Sequence, residues 1–381
     1  MARLGRTPGD DLQPILMELQ AVANSPLNAI AAQLQPLLDL AVRSRDSGDL
    51  PNQELRELLR YTTHVLNRLP QLFGPRFGFD AVQIATITED LGRDLFSGML
   101  IPRYEQNWGH ESVMMPAENG KSHVIDLILM PGKDRVRDVN LLSYPWLGHE
   151  LAHNLLFRHD TTFCDDVSRQ LDKDVQRLKV GAIADRGTAH TKATRILEEF
   201  VRFWTPTLDH KNWAHEIAAD CIALWIFGPA YLACFEDVLD NASLNPYELT
   251  QSHPPYFVRA NALLDGARLL GWNDAALRRR IAGWADSKWR DSKSNRLLSL
   301  AKPELTSVCV SAALQTCQIL QLAKCTCEGL NAMLGTSARR PPEFGVKLVL
   351  EAYVMFKECG EQAYLDWQAP AVQQLADTVT L

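Results

Sequence analysis

The stretch that decides the fold is His149-Glu150-Leu151-Ala152-His153, read with Pro145-Trp146-Leu147-Gly148 before it and Asn154-Leu155-Leu156 after it. Trp146, Leu147, Leu151, Leu155 and Leu156 recur at helical spacing. The spacing predicts a partly buried helix from about Trp146 to Phe157 or Arg158. Pro145 sits near its start, where a missing N–H does little harm. Residues four apart on a helix share a face, so both imidazoles point one way with Glu150 beside them. Two imidazoles so placed can bind one Zn²⁺, and the carboxylate can then act on water at that ion.

A catalytic zinc site needs a third protein ligand and an open position. Downstream, His215-Glu216-Ile217-Ala218-Ala219-Asp220 sets two carboxylates four apart in an otherwise apolar segment. Burying both on one helix face is unfavourable unless a cation or donors compensate them. Glu216 as the third ligand, with Asp220 accepting from an imidazole N–H, supplies that compensation. His215 points about 100° away from Glu216 around the helix and is expected to be structural.

These residues resemble the gluzincin metallopeptidases, and most of all the soluble core of CAAX-prenyl-protease-like peptidases. That pattern is H-E-x-x-H followed by E-x-x-x-D, here HELAH at 149–153 and EIAAD at 216–220. A His-Pro segment follows in such families, and Ser252-His253-Pro254-Pro255 stands in the corresponding order. The resemblance covers roughly residues 120–270. It implies a zincin-like fold, a single Zn²⁺ on His149, His153 and Glu216, Glu150 as general base, and Asp220 as the partner of His149. Two departures stand out: there are no transmembrane helices, and the segment between His153 and Glu216 is long and polar, reading as a helical insert at about 158–210.

One alternative third ligand is His159, at the position where metzincins place theirs. Leu156 occupies the place of the glycine that lets such chains turn, and a bulky side chain disfavours that backbone. His253 is a candidate oxyanion donor and Tyr256 a weaker one. The other histidines named in this reading, His110, His123, His190 and His210, are scattered and not expected to be ligands. Cys325-Thr326-Cys327, with Cys309 and Cys317 nearby, lacks metal-site spacing and reads as buried thiols.

Around this centre the chain is ordinary in composition: 381 residues, 46% hydrophobic, 22% charged, net charge −7. There is no basic footprint for nucleic acid. The most apolar run, Cys221 to Phe235, is too short to span a bilayer and reads as core. With no secretory segment at the N-terminus, the eight cysteines read as reduced thiols in a cytoplasmic protein.

The expected fold is α+β and mostly helical. A helical N-terminal region covers 1–75, a metallopeptidase domain 76–300, and a C-terminal helical region 301–381. Met99 to Ile101, His123 to Met130 and Val139 to Leu142 read as a small sheet before the motif helix. Helices are expected over Asp165 to Val180, Thr188 to Trp204, Lys211 to Phe227, Pro254 to Leu270 and Asp274 to Trp289, and from Pro303 onward. The strand at 123–130 is a candidate edge for an extended substrate. The expected activity is zinc-dependent hydrolysis of peptide bonds in a protein or peptide substrate, with a regulatory partner reached through the helical flanks. Two alternatives stay open: an inactive zincin-fold scaffold, and a zinc hydrolase acting on a non-peptide amide.

Overall fold

The computed structural model describes residues 75–380 except 97–98, 117–121, 132–137, 160, 185–187, 206–211, 242–244, 249–252, 286–299 and 334–341. The expected N-terminal helices before Pro75 lie outside the described residues, as do parts of the 158–210 segment and the end of the helix expected to reach Trp289.

The fold is mostly helical with one three-stranded sheet. Helix α1 (Pro75–Leu91) leads into β1 (Met99–Glu105), β2 (Gly109–Pro116) and β3 (Ser122–Pro131). The strand order is β1-β3-β2. β1 runs parallel to β3 and β2 antiparallel, with Leu100 opposite Asp126 and His110 opposite Ile128. Two expectations change here. β3 is the central strand, paired on both sides, so it is not a substrate edge. Val139 to Leu142 is not a strand: Leu141–Ser143 forms a 3₁₀ turn. Asn140 Oδ1 accepts from Leu142 N–H and Gln368 Oε1 from Leu141 N–H, so side chains satisfy the backbone that a ladder would otherwise pair.

The motif helix α2 (Pro145–His159) follows, buried from Pro145 to Leu156. Then come α3 (Thr161–Ala184), α4 (Thr188–Trp204), α5 (Trp213–Phe227) and α6 (Pro229–Asn241). α7 (Tyr256–Leu270), α8 (Ala275–Ala285), α9 (Pro303–Ile319) and α10 (Cys327–Met333) continue the chain. α11 (Val346–Cys359) and α12 (Glu361–Thr380) complete it.

α5 is the axis of the core. Every residue in it is buried, so it has no solvent-exposed face. It packs against α2, α4, α6, α7, α9 and α11. Its start is fixed by Asn212, whose side chain accepts from His215 N–H, and its end by Gly228 at φ 53°. α2 lies between α5 and the sheet, touching β2 and β3. The sheet's inner face carries Tyr104, Asp126, Ile128 and Met130, all buried. The core is one continuous cluster that includes the described C-terminal helices, from Leu305 to Ala376. No described helix is long and apolar enough to cross a membrane.

Candidate metal centre

His149 and His153 lie one helical turn apart on α2, and Glu216 lies in the first turn of α5, where the helix dipole favours a carboxylate. The three side chains are buried and could hold a metal ion; among the described residues they form the one such group. One donor atom from each residue lies within 4.8 Å of the other two, and each histidine faces a different oxygen of Glu216. The two Nε2 atoms lie 3.2 Å apart, His149 Nε2 lies 3.4 Å from Glu216 Oε2, and His153 Nε2 lies 3.5 Å from Glu216 Oε1. Zinc–ligand distances of about 2.0–2.2 Å at tetrahedral angles separate two donors by about 3.3–3.6 Å. The donor group is therefore compact enough to gather around one zinc ion.

The surroundings fit a dication as well. Glu216 Oε2 is buried with no hydrogen-bond partner. Glu150, Glu216 and Asp220 are all buried, and the buried guanidinium beside them is that of Arg259. Glu216 and Asp220 stay ionised against one guanidinium, so a cation at the donor group meets a negative environment.

Asp220 orients His149. Its Oδ1 lies 2.9 Å from His149 Nδ1, which makes Nδ1–H the donor and leaves the Nε2 lone pair facing the triangle. Asp220 is itself clamped. Arg259 donates to it through Nε at 2.8 Å and a terminal nitrogen at 2.6 Å, and the Tyr231 hydroxyl donates at 2.5 Å. Arg259 is boxed by the rings of Trp146, Phe235 and Tyr256, 5.5, 5.6 and 5.7 Å from its guanidinium carbon. The edge of Trp146 also meets the His149 ring at 5.3 Å. On the other side, His110 of β2 lies nearly parallel to His153, with 6.2 Å between ring centres. Asp126 of β3 joins His110 (2.9 Å) to Asn154 (2.6 Å), fastening α2 to the sheet.

These contacts set the protonation of the site. Burial alone would lower His149, but the carboxylates of Asp220 and Glu216 beside it outweigh burial and bring it up to about 9. His153 goes the other way: burial drives it well below the usual range, and the nearby His149 adds to that. Burial would raise Glu216, but the two metal-facing histidines pull it down to about 2. Asp220 is likewise held below the ordinary carboxylate range, because Arg259 overcomes its burial. Glu150 is pushed up to about 7 by burial, reinforced by the charge of Glu216. A carboxyl at that value can both take and return a proton near neutrality.

The other expected residues are placed as follows. His253 is half-exposed, with Nε2 3.4 Å from Glu216 Oε1. Tyr256 packs on Phe235 and lies against the guanidinium of Arg259, with no bond joining its hydroxyl to the triangle. His159 stands apart from the triangle and bonds the Leu95 carbonyl at 2.8 Å, because it sits on the last turn of α2 with no bend to bring it back. His215 is buried beside Asn212, outside the donor group. All eight cysteines are free thiols, and none joins a metal-holding group among the described residues.

Tyr231, Arg259 and the Asp126–His110 pair were given no role from the sequence. The signal for Arg259 was an arginine on an otherwise apolar stretch of helix, Val258-Arg259-Ala260, where an unpaired charge would be unfavourable. The chain was compared with protein-family models, curated proteins and solved structures, and no match was found.

Proposed function

We propose that this protein is a zinc-dependent metallopeptidase of gluzincin type with a zincin-like catalytic core, hydrolysing peptide bonds in a protein or peptide substrate. One observation carries the reading: a buried His149–His153–Glu216 donor group compact enough for one metal ion, with the carboxylate of Glu150 on the helix turn between the two histidines. When bound, Zn²⁺ supplies Lewis-acid polarisation of a carbonyl and acidifies water. Glu150 takes the water proton and delivers it to the leaving amine. Asp220, held by Arg259 and Tyr231, keeps His149 in the tautomer that presents Nε2. His253, half-exposed beside Glu216, is the better candidate for an oxyanion donor, and Tyr256 the weaker. An extended substrate would pair with β2, the described sheet edge that carries His110 beside His153.

The test compares new protein N-termini in cells expressing the chain and its Glu150→Gln variant, with zinc content measured on both purified proteins. Termini that appear only with Glu150 intact support the peptidase and identify its substrates. Stoichiometric zinc in both proteins with no difference in termini would overturn it in favour of a non-peptide substrate or a binding role.

A further inference from the structure

A second concavity lies behind the metal centre, where α6, α11 and α12 converge on the start of α2. Its volume is about 690 Å³. Sites for small molecules commonly measure about 300–1,000 Å³. Its walls are mainly helix faces. Ala230, Ala233, Cys234 and Asp237 line it from α6, and Val349, Tyr353 and Phe356 from α11, both at helical spacing. The first two turns of α12 close it with Tyr364 and Leu365.

Its chemistry is one-sided. Asp138, Glu236, Asp237 and Glu361 line it together with one ammonium, that of Lys357; Glu236 and Asp237 hold further contacts of their own, so Asp138 and Glu361 are the carboxylates offered to an occupant. No three of these carboxylates converge within reach of one ion, since the described residues offer a group of three or more metal-holding side chains only at His149, His153 and Glu216. The same lining carries the rings of Tyr353, Phe356 and Tyr364. Phe356 meets Tyr364 edge to face at 6.0 Å. Phe356 and Leu365 are 38% and 44% exposed, so the cavity keeps apolar surface in water that an occupant would cover. A lining with both carboxylates and aromatic faces suits a cation whose charge is carried on an apolar body.

We propose that this cavity binds a small organic cation, an amine whose ammonium lies among the carboxylates and whose apolar body lies on the aromatic side chains. The site is also positioned to report on the metal centre. Pro145, in its lining, is one helical turn from His149. Ala230, also in its lining, adjoins Tyr231, which donates to Asp220. The coupling rests on the metal-site reading, whereas the binding does not.

The experiment measures binding to the full-length, metal-loaded chain by calorimetry and protein-observed NMR. The probes are tryptamine, phenethylamine and spermidine, with indole-3-propionate as the anion matched in body to tryptamine. The expected result is binding of an aromatic amine, none of the indole anion, and weakening by added salt. Asp138→Asn combined with Glu361→Gln should reduce amine affinity about tenfold, as removal of two nearby charges predicts. Phe356→Ala should weaken the aromatic amines more than spermidine. Both variants change exposed positions, and unchanged circular dichroism and zinc content confirm their fold. Equal binding of the indole anion, no binding of any amine at millimolar concentration, or affinity unmoved by both variants would overturn the proposal. Binding of an oligolysine peptide without any of the amines would also overturn it, in favour of a protein partner. Because the readout is binding, failure here is distinct from failure of the peptidase reading, which Glu150→Gln tests.

Discussion

Glu150 stands between the two histidines in the chain but outside the donor triangle in space, and that separation assigns roles. Glu150→Gln is expected to keep stoichiometric metal and to lose turnover by at least about 10²-fold, the usual contribution of a positioned acid–base group. Metal analysis and peptide cleavage on one preparation check both halves. Glu216→Ala should instead lower metal affinity itself, and a variant that still holds zinc as tightly would refute the ligand assignment. Arg259 acts one step further out. Arg259→Met would leave Asp220 buried without its cation, a change worth about 3–5 kcal/mol in comparable buried pairs. Arg259→Lys keeps the charge but not the two-pronged bond and should be intermediate; urea unfolding of the three proteins gives the order. Glu216 and Asp220 were legible in the sequence because two carboxylates four apart in an apolar helix demand compensation. Arg259 and Tyr231 were not, because they meet Asp220 from α7 and α6, and only the packing of those helices brings them there.

The two helices that carry the donors are held at a distance set by a glycine. A Cβ on Gly148 would come within 2.7 Å of the Phe227 ring and 3.4 Å of the Ala223 backbone. Gly148→Ala should therefore press α2 away from α5. Overpacking of this kind destabilises by about 1–3 kcal/mol. Because His149 and His153 ride on α2 and Glu216 on α5, the same change should loosen the triangle and weaken zinc binding. Thermal unfolding together with competitive zinc titration checks this, and wild-type metal affinity in a destabilised variant would show that the spacing does not set the site. Most helices were readable: α2 from its periodic leucines, α4 within the expected limits, and α5 as a buried run. β3 was readable from His123 to Met130, but its central place was not, since strand order is decided by pairing rather than by the strand's own residues. β2 was missed because Gly109-His110-Glu111-Ser112-Val113-Met114-Met115-Pro116 shows no regular alternation and depends on β3 for its existence. Val139 to Leu142 misled because its apolar residues suggest a strand, while Asn140 and Gln368 supply the local bonds that make a turn.

Across the molecule, a bound ion would join α2 and α5, and with them the sheet and the C-terminal helices that share their core. Whatever binds only the folded state stabilises it, by about 4 kcal/mol when the free ion exceeds its Kd a thousandfold. Chelation should therefore lower Tm by several degrees, and zinc should restore it. The size of that gap should depend on pH in a definite direction. In the metal-free molecule His149 is raised to about 9, against an ordinary histidine value of about 6.5. A group raised on folding stabilises fully below its unfolded value, and that stabilisation is lost as pH rises through the folded one. The metal-free protein should thus lose stability between about pH 6.5 and 9 on account of His149. Over the same interval the metal-loaded protein gains, because fewer protons compete for the imidazoles. The two trends add, so the difference in Tm with and without chelator should widen from about pH 6.5 to about pH 9. In Glu216→Ala the difference should be small throughout, because the third donor is gone. A gap in the intact chain that stays constant or narrows as pH rises would mean that proton and metal do not share His149, and the triangle would then not be the metal site.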